Sequence, residues 1–259
     1  MAEAPEHVAV IGASGELGQA LARALARDGA RLSLWGRDPG RLAAIATDCL
    51  ALGATAAETI ETDLTEAAPA IERLEAVDRM HPLDMVIFAQ GLGDVRPVGA
   101  VIDDPATVER LVRVNFLAPA AMAAALAEAM ARRRRGRIVF VGSAAAFHAL
   151  PFAASYASSK AGLARFAEAL HIAMEPYGVA VRLTSPGFID TAAGRRTSGP
   201  KPLLMTAGQA ATAVLRAARG RHFHSMLPWP FRLVRLLDRL IPRAVRGHLL
   251  RRATPPGLS

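Results

Sequence analysis

Three glycines spaced three residues apart follow the first apolar segment and constrain the fold of this chain more than any other feature. Residues 7–11 form a short apolar run that predicts a buried strand, and apolar residues at helical spacing begin at Leu17. Between them, Gly12 permits a tight turn, Gly15 lets backbone N–H groups approach a diphosphate, and Gly18 lets the helix pack on the strand. This order is typical of a dinucleotide site, and the alternative is a tight turn that binds nothing.

Apolar strands alternate with helical segments along most of the chain. Further strands are predicted at 31–35, 54–62, 84–89, 137–141, 180–184 and 223–227, and further helices at 39–52, 104–131, 156–174 and 205–219. Asp38 is a candidate helix cap, Thr206 is another, and Pro119 predicts a bend in the long helix. This alternation predicts an α/β fold with a doubly wound parallel sheet, whose ligands bind beyond the carboxyl ends of the strands.

The end of the second strand bears on which dinucleotide would bind. An NAD site expects an acidic residue there to bind the ribose hydroxyls, but this strand ends in Gly36-Arg37-Asp38. A small residue followed by a guanidinium suits the 2′-phosphate of NADP(H), because arginine binds phosphate as a planar fork. We therefore expect NADP(H) to be preferred. NAD(H) is not excluded, because Asp38 could reach a ribose if it did not cap the helix.

A serine, a tyrosine and a lysine follow the predicted strand 137–141. Ser143 follows that strand after Gly142, and Tyr156 and Lys160 lie at i and i+4 on one face of the next helix. The chain has only two tyrosines and two lysines, and one of each is in this pair. A nearby ammonium group and an oxidised nicotinamide would lower the tyrosine pKa, so Tyr156 could exchange a proton with a substrate oxygen that Ser143 holds. Taken alone, such a pair is more often a surface aromatic and a solvated amine.

Together these residues resemble the short-chain dehydrogenase/reductase family over about residues 7–191. The resemblance implies a Rossmann fold and a catalytic tetrad of Asn115, Ser143, Tyr156 and Lys160. In the family, the asparagine holds a water on the proton relay of the lysine, and the lysine also binds the nicotinamide ribose. Asp63-Leu64 matches the adenine-contacting pair, and Pro186 to Thr191 matches the segment that contacts the carboxamide. The expected cofactor-binding residues are Gly12, Ser14, Gly15, Leu17, Gly18, Arg37, Asp63, Leu64, Ala89, Gln90, Gly91, Tyr156, Lys160, Pro186, Gly187, Ile189 and Thr191.

Two positions depart from the family pattern. Glu16 stands where a common subgroup has its second glycine, and it could crowd or repel the diphosphate if it points inward. Ala89 replaces a structural asparagine whose hydrogen bonds Gln90 would have to make. The Gly-x-x-Gly-x-x-Gly spacing leaves open a nucleotide-sugar epimerase-like member, and the departures leave open a non-catalytic dinucleotide-binding regulator. The short chain argues against the first alternative, and the intact Ser143, Tyr156 and Lys160 argue against the second.

The basic charge of the chain is confined to its C-terminal quarter. Residues 195–259 contain 13 Lys and Arg and one acid, hence +12, whereas residues 1–194 contain 18 and 22, hence −4. Four leucines of this quarter lie at i, i+3, i+4 and i+7, on one helix face among arginines: Leu233, Leu236, Leu237 and Leu240. We therefore divide the chain into a catalytic domain, 1–227, and a basic amphipathic extension, 228–259. The extension would either pack on the sheet or a second subunit, or meet a membrane through residues 228–252.

Other features limit the class of protein. A single cysteine, Cys49, excludes a disulfide framework. No signal peptide, transmembrane helix, metal site or nucleic-acid recognition module is expected. The segment 192–205 is interpreted as a mobile loop that covers the substrate. The expected protein is a cytoplasmic homodimer or homotetramer, in one alternative peripheral at the inner face of the membrane, with a small-molecule or lipid-like carbonyl or alcohol substrate.

Overall fold

A computed structural model describes residues 6–93, 100–196, 200–242, 245–247 and 250. Nine strands are present in this part of the chain: β1 His7–Ile11, β2 Arg31–Gly36, β3 Ala56–Glu61, β4 Met85–Phe88, β5 Gly136–Val141, β6 Val179–Pro186, β7 Ile189–Asp190, β8 Met205–Thr206 and β9 His224–Leu227. Seven of them form one parallel sheet in the order β3-β2-β1-β4-β5-β6-β9, and β7 pairs with β8 separately. The order reverses between β1 and β4, which places a crevice at the carboxyl ends of these strands.

Helices cover both faces of the sheet. The described α-helices are α1 Glu16–Arg27, α2 Pro39–Ala51, α3 Ala67–Met80, α4 Pro105–Val112, α5 Ala118–Arg132, α6 Ala154–Met174, α7 Ala192–Arg196, α8 Ala207–Arg219 and α9 Pro230–Leu240. One buried cluster joins the sheet to α1, α2 and α8, and a second joins it to α3, α5 and α6. The doubly wound parallel sheet predicted from the alternation is thus confirmed. The sequence pattern did not reveal α3, which lies between β3 and β4.

The long helix predicted at 104–131 is interrupted before Pro119. A π-helical turn, Arg113–Leu117, separates α4 from α5. Because Pro119 has no N–H, the carbonyl group of Asn115 loses its i+4 donor, and this explains why the regular helix ends there. By length and composition alone, the segment Pro105–Arg132 could cross a membrane. Its most apolar stretch of 18 residues has a mean hydropathy of 1.4, but 56% of that stretch is buried inside the protein. Its position against the sheet identifies it as a core helix.

The interpretation of 192–205 as a loop is wrong for much of its described part. Residues 192–196 form α7, and β8 pairs in parallel with β7 through Ile189 with Met205 and Asp190 with Thr206. These contacts join segments that are distant in sequence, so a local abundance of glycine and proline could not indicate them. Residues 197–199 lie outside the described residues. Thr206 caps α8 with a reciprocal bond to Gln209, as predicted.

Candidate active site

Two adjoining cavities open at the carboxyl ends of the strands. The smaller, of about 260 Å³, lies beside β1, β2 and β4. The predicted residues that line it are Gly12, Ser14, Gly15, Arg37, Asp63, Leu64, Ala89, Gln90 and Gly91. The larger, of about 820 Å³, shares the glycine-rich turn and extends past β5 and β6. The predicted residues found only there are Leu17, Gly18, Ser143, Tyr156, Lys160, Pro186, Gly187, Ile189 and Thr191. Every predicted cofactor-binding residue therefore lines this cleft.

The glycine-rich turn is packed against backbone on two sides. A Cβ on Gly12, whose φ is +92°, would lie 2.7 Å from the Cα of Gln90. A Cβ on Gly18 would lie 2.1 Å from the carbonyl oxygen of Gly12. Since real Cβ atoms do not approach so closely, both positions require glycine. The turn thus has the close helix-to-strand packing that the sequence predicted.

At the smaller cavity, the geometry favours phosphate over a free ribose. The Asp38 side chain accepts from the backbone N–H of Arg41 at 2.9 Å and pairs with the Arg41 guanidinium at 3.1 Å, so this acid caps α2 as predicted. A Cβ on Gly36 would lie 2.6 Å from Ser14 Oγ, so a larger residue there would require the Ser14 side chain to move. Arg37 and Arg41 both line the cavity. The sequence reading missed Arg41, although its place in the first turn after the Asp38 cap could have indicated it.

Unpaired polar atoms lie along the smaller cavity. Among the described residues, Trp35 Nε1, Thr62 Oγ1 and both amide atoms of Gln90 are buried without a hydrogen-bond partner. All three residues line this cavity, and Gln90 also lines the larger one. Buried polar groups in proteins are nearly always paired. These donors and acceptors, together with the glycine cradle and two arginines, fit a phosphorylated dinucleotide.

Ser143 and Tyr156 meet at the larger cavity. Ser143 follows β5, and its Oγ accepts from the backbone N–H of Ala145 at 3.2 Å. Tyr156 lies in the first turn of α6 and forms a side-chain hydrogen bond with Ser143. Burial raises the pKa of Tyr156, and the bond with Ser143 acts in the opposite direction. Without a cofactor, the Tyr156 pKa is therefore raised, because desolvation is the larger effect. The sequence predicted a lowered pKa, but for a site that also holds an oxidised nicotinamide.

Lys160 is buried and held by backbone carbonyl groups. Its Nζ donates to the carbonyl oxygens of Val141 at 3.0 Å and Gln90 at 3.4 Å. Burial lowers the pKa of this lysine to about 8. Gly91 lies beside it, since a Cβ there would be 3.4 Å from Nζ. Because the ammonium group is removed from water, its charged form is less favoured than that of an exposed lysine.

Asn115 lies behind the cleft rather than on its lining. Its Oδ1 accepts from the N–H of Leu92 at 2.8 Å, and its Nδ2 donates to the Leu92 carbonyl at 2.9 Å and to Ser159 Oγ at 3.2 Å. These bonds tie the segment after β4 to α6. The role of Asn115 in a proton relay stays a prediction.

A residue that sequence reasoning missed anchors the start of α6. The Asp103 carboxylate accepts from both the N–H and the hydroxyl of Ser155, at 3.2 and 2.5 Å. Because Ser155 precedes Tyr156, this anchor fixes the turn that carries the tyrosine. An acid near a helix N-terminus is also favoured by the helix dipole.

Glu16, which follows Gly15 of the glycine-rich turn, accepts hydrogen bonds at both carboxylate oxygens. Its carboxylate accepts from the N–H of Ala192 at 2.5 Å and from the Arg195 guanidinium at 3.1 Å. Arg195 also donates to Asp190 at 2.8 Å. The negative charge that could have repelled a diphosphate is therefore shared with an arginine of α7.

The C-terminal extension contributes to the wall of the larger cavity. Phe231 and Val234 of α9 line it, as does Leu250. The Phe231 ring lies so close to Gly187 that a Cβ there would be 2.2 Å from Cε2. The sequence contains one indication of these contacts. Phe231 and Val234 are apolar but lie outside the predicted leucine face, so a second side of the helix is also apolar.

Comparison with known proteins agrees with this geometry. The family model described as short chain dehydrogenase matches residues 6–201. An uncharacterized oxidoreductase of Myxococcus xanthus is 30% identical over 254 residues, covering 97% of this chain and 99% of its own length.

Solved structures of short-chain dehydrogenases are also similar to this chain. A short-chain dehydrogenase from Sphingobium yanoikuyae in complex with NADPH has a TM-score of 0.80 and 25% identity, with 95% of each chain covered. One from Burkholderia cenocepacia in complex with NADP has a TM-score of 0.78 and 27% identity, covering 97% of this chain and 98% of that one.

Proposed function

This chain belongs to the short-chain dehydrogenase/reductase family, and we propose that it interconverts a carbonyl compound and a secondary alcohol with NADP(H), Tyr156 being the general acid and base. The observation that carries the proposal is the convergence of Ser143, Tyr156 and Lys160 at one cavity, next to the cleft that the glycine-rich turn forms. These residues come from β5 and α6, and their meeting is a property of the fold.

NADP(H) when bound would supply or accept the hydride. The residues that would hold it are those of the two cavities, with Arg37 and Arg41 toward the 2′-phosphate and Pro186 to Thr191 toward the nicotinamide end. Two relatives of known structure bind NADPH or NADP, which supports the same preference here. NAD(H) is a weaker alternative, because Asp38 is engaged as a helix cap.

The protein side chains would then act on the substrate oxygen. Ser143 holds that oxygen by a hydrogen bond, which fixes the reacting carbon for hydride transfer. In reduction, the Tyr156 hydroxyl donates its proton to the oxygen, and in oxidation the tyrosinate accepts it. The Lys160 cation stabilises the tyrosinate and binds the ribose, and Asn115 connects it to a proton relay.

The decisive experiment replaces Tyr156 by phenylalanine and follows NADPH oxidation with a panel of ketones. We expect turnover to fall by about 10²- to 10⁴-fold, the usual contribution of positioned proton transfer, while the variant retains the ability to bind NADPH. Tyr177→Phe is the matched control, since the other tyrosine is 46% exposed and lies outside the cavities. A wild-type protein that binds NADPH but reduces no ketone would support the regulator instead.

The proposal also includes assembly and location. We propose a cytoplasmic homodimer or homotetramer with a catalytic domain, 1–227, and an extension, 228–259, that contacts the inner face of the membrane. Native mass measurement tests the assembly, and a monomer at micromolar concentration would contradict it. The surface of α9 supports the membrane contact.

A further inference from the structure

Helix α9 has one face on the catalytic domain and an apolar face in solvent. On the inner side, Phe231 packs on Gly187. There, Arg235 Nη1 lies 3.1 Å from His224 Nδ1, and its guanidinium stacks 3.9 Å from the centre of the Phe147 ring. The outer face consists of four leucines that are 52–72% exposed: Leu233, Leu236, Leu237 and Leu240. Of the alternatives for the extension, packing on the catalytic domain therefore applies to the inner face of α9 and not to these leucines.

Two further exposed apolar residues flank α9 in the sequence. Trp229, just before the helix, is 67% exposed, and Val245 is 52% exposed. Exposed apolar residues that occur singly need no explanation, but a contiguous stripe on one helix indicates a partner.

The charge around this stripe identifies the partner. Residues 228–252 contain seven arginines, of which Arg235 lies on the inner side, and one acid, Asp238, so the segment carries a formal charge of +6. A symmetric contact between two copies of α9 would bring two such segments together, and their like charges would oppose it. An anionic phospholipid surface offers complementary charge and an apolar interior, which is what an interfacial helix requires.

The opposite side of the same helix faces the catalytic cavity. The cavity of about 820 Å³ extends from Ser143 and Tyr156 to Phe231 and Val234 of α9. Its further apolar lining includes Leu150, Phe152, Phe188 and Leu250. One helix of about three turns thus separates the substrate cavity from the exposed leucines.

From this juxtaposition we propose that α9 docks on an anionic bilayer and that the substrate carries a long apolar chain, which enters the cavity from the lipid along Phe231 and Val234. The substrate class rests on the proposed carbonyl–alcohol reaction, whereas the docking rests only on the surface of α9. The reacting carbonyl reaches Tyr156 and Ser143, while the chain occupies the apolar part of the cavity. The substrate class is therefore a membrane-dissolved ketone or secondary alcohol.

Flotation with lipid vesicles tests the docking surface. We expect the full-length protein to float with vesicles that contain phosphatidylglycerol and to remain unbound with pure phosphatidylcholine, and high salt should reduce the binding. Leu237→Glu should weaken vesicle binding about 10- to 100-fold, as expected for losing one buried leucine side chain. Leu50→Glu on α2 is the matched control, because Leu50 is 52% exposed and the sequence segment around it, 47–53, contains no arginine. Equal loss in both variants, or no flotation of the wild type, would overturn docking.

Kinetics with two probes test the substrate route. We compare NADPH oxidation by 2-butanone in solution with oxidation by 2-hexadecanone in phosphatidylglycerol vesicles. Wild type should turn over the long ketone at least about tenfold more efficiently, and Leu237→Glu should lose this advantage while its 2-butanone activity stays unchanged. Equal efficiency with both ketones, or an unchanged advantage in Leu237→Glu, would overturn the route. Absence of activity with every ketone would contradict the proposed function, and flotation would still decide the docking.

Discussion

Glu16 and Arg195 are 179 positions apart in the chain and form an ion pair with 3.1 Å between Oε1 and Nη2. The first residue begins α1 at the glycine-rich turn, and the second lies on α7 at the rim of the substrate cavity. The neighbouring N–H of Ala192 donates to the same carboxylate. These contacts thus join the glycine-rich turn to α7.

Glu16→Ala should release α7 from the turn and accelerate NADPH dissociation. We expect a rate increase of about 2- to 10-fold, modest because exposed ion pairs contribute little. Stopped-flow displacement of NADPH measures it. Arg195→Ala should act in the same direction, and the double variant should show less than the product of the two effects. Slower dissociation in Glu16→Ala would mean that the carboxylate repels the diphosphate.

Arg37→Ala should remove the preference for NADP(H). Loss of a charge-assisted bond to the 2′-phosphate should weaken NADPH binding about 10- to 100-fold and leave NADH binding unchanged. Titration with each nucleotide checks the ratio. Arg132→Ala, on the exposed end of α5, is the control. If the variant binds NADPH and NADH more weakly by the same factor, Arg37 does not contact the 2′-phosphate.

Lys160→Met should change how stability depends on pH. The pKa of Lys160 is about 8 in the folded protein and 10.5 in its unperturbed state. Between these values the unfolded chain binds more protons, so the free energy of unfolding of the wild type rises with pH. We therefore expect the methionine variant to be more stable at pH 7, by on the order of 3 kcal/mol, and to lose this advantage toward pH 10.5.

Chemical denaturation at pH 7 and pH 10 without added cofactor measures this difference. Lys201→Met is the control, because Lys201 is the other lysine of the chain and, among the described residues, its Nζ donates to an exposed carbonyl group of Arg195 at 3.3 Å. A stability difference for Lys160→Met that does not change with pH would show that the lysine is not buried as a cation.

Acid should release α9 through His224. Arg235 can only donate, so His224 Nδ1 accepts and Nε2 donates to Ser185 Oγ, 2.9 Å away. Burial, with Arg235 and Arg232 nearby, lowers the pKa of His224 to about 4 from 6.5. The stabilisation is therefore complete above pH 6.5 and is lost as the pH falls toward 4.

Hydrogen exchange of residues 229–241 at pH 5 and pH 7.5, corrected for intrinsic rates, should show loss of protection at the lower pH. His224→Gln should reduce the pH dependence, whereas His222→Gln should not, because His222 is exposed. Equal protection at both pH values in the wild type would contradict the role of His224.

The order of strands and helices could be predicted from the sequence because it depends on local spacing. Apolar runs, glycine positions and the Asp38 and Thr206 caps act over a few residues. The resemblance built on the same local motifs supplied the predicted cofactor-binding residues, all of which line the cleft. Spacing along one helix likewise placed Tyr156 and Lys160 on a common face.

Contacts between distant segments could not be predicted in this way. The partners of Glu16 lie on α7, the carboxylate that anchors Ser155 comes from Asp103, and the pairing of β7 with β8 joins separate segments. For α9, the sequence determined an amphipathic helix among arginines. Only the tertiary structure decided that Phe231 and Arg235 face the domain while the leucines face outward, because this depends on which surface the rest of the fold presents to the helix.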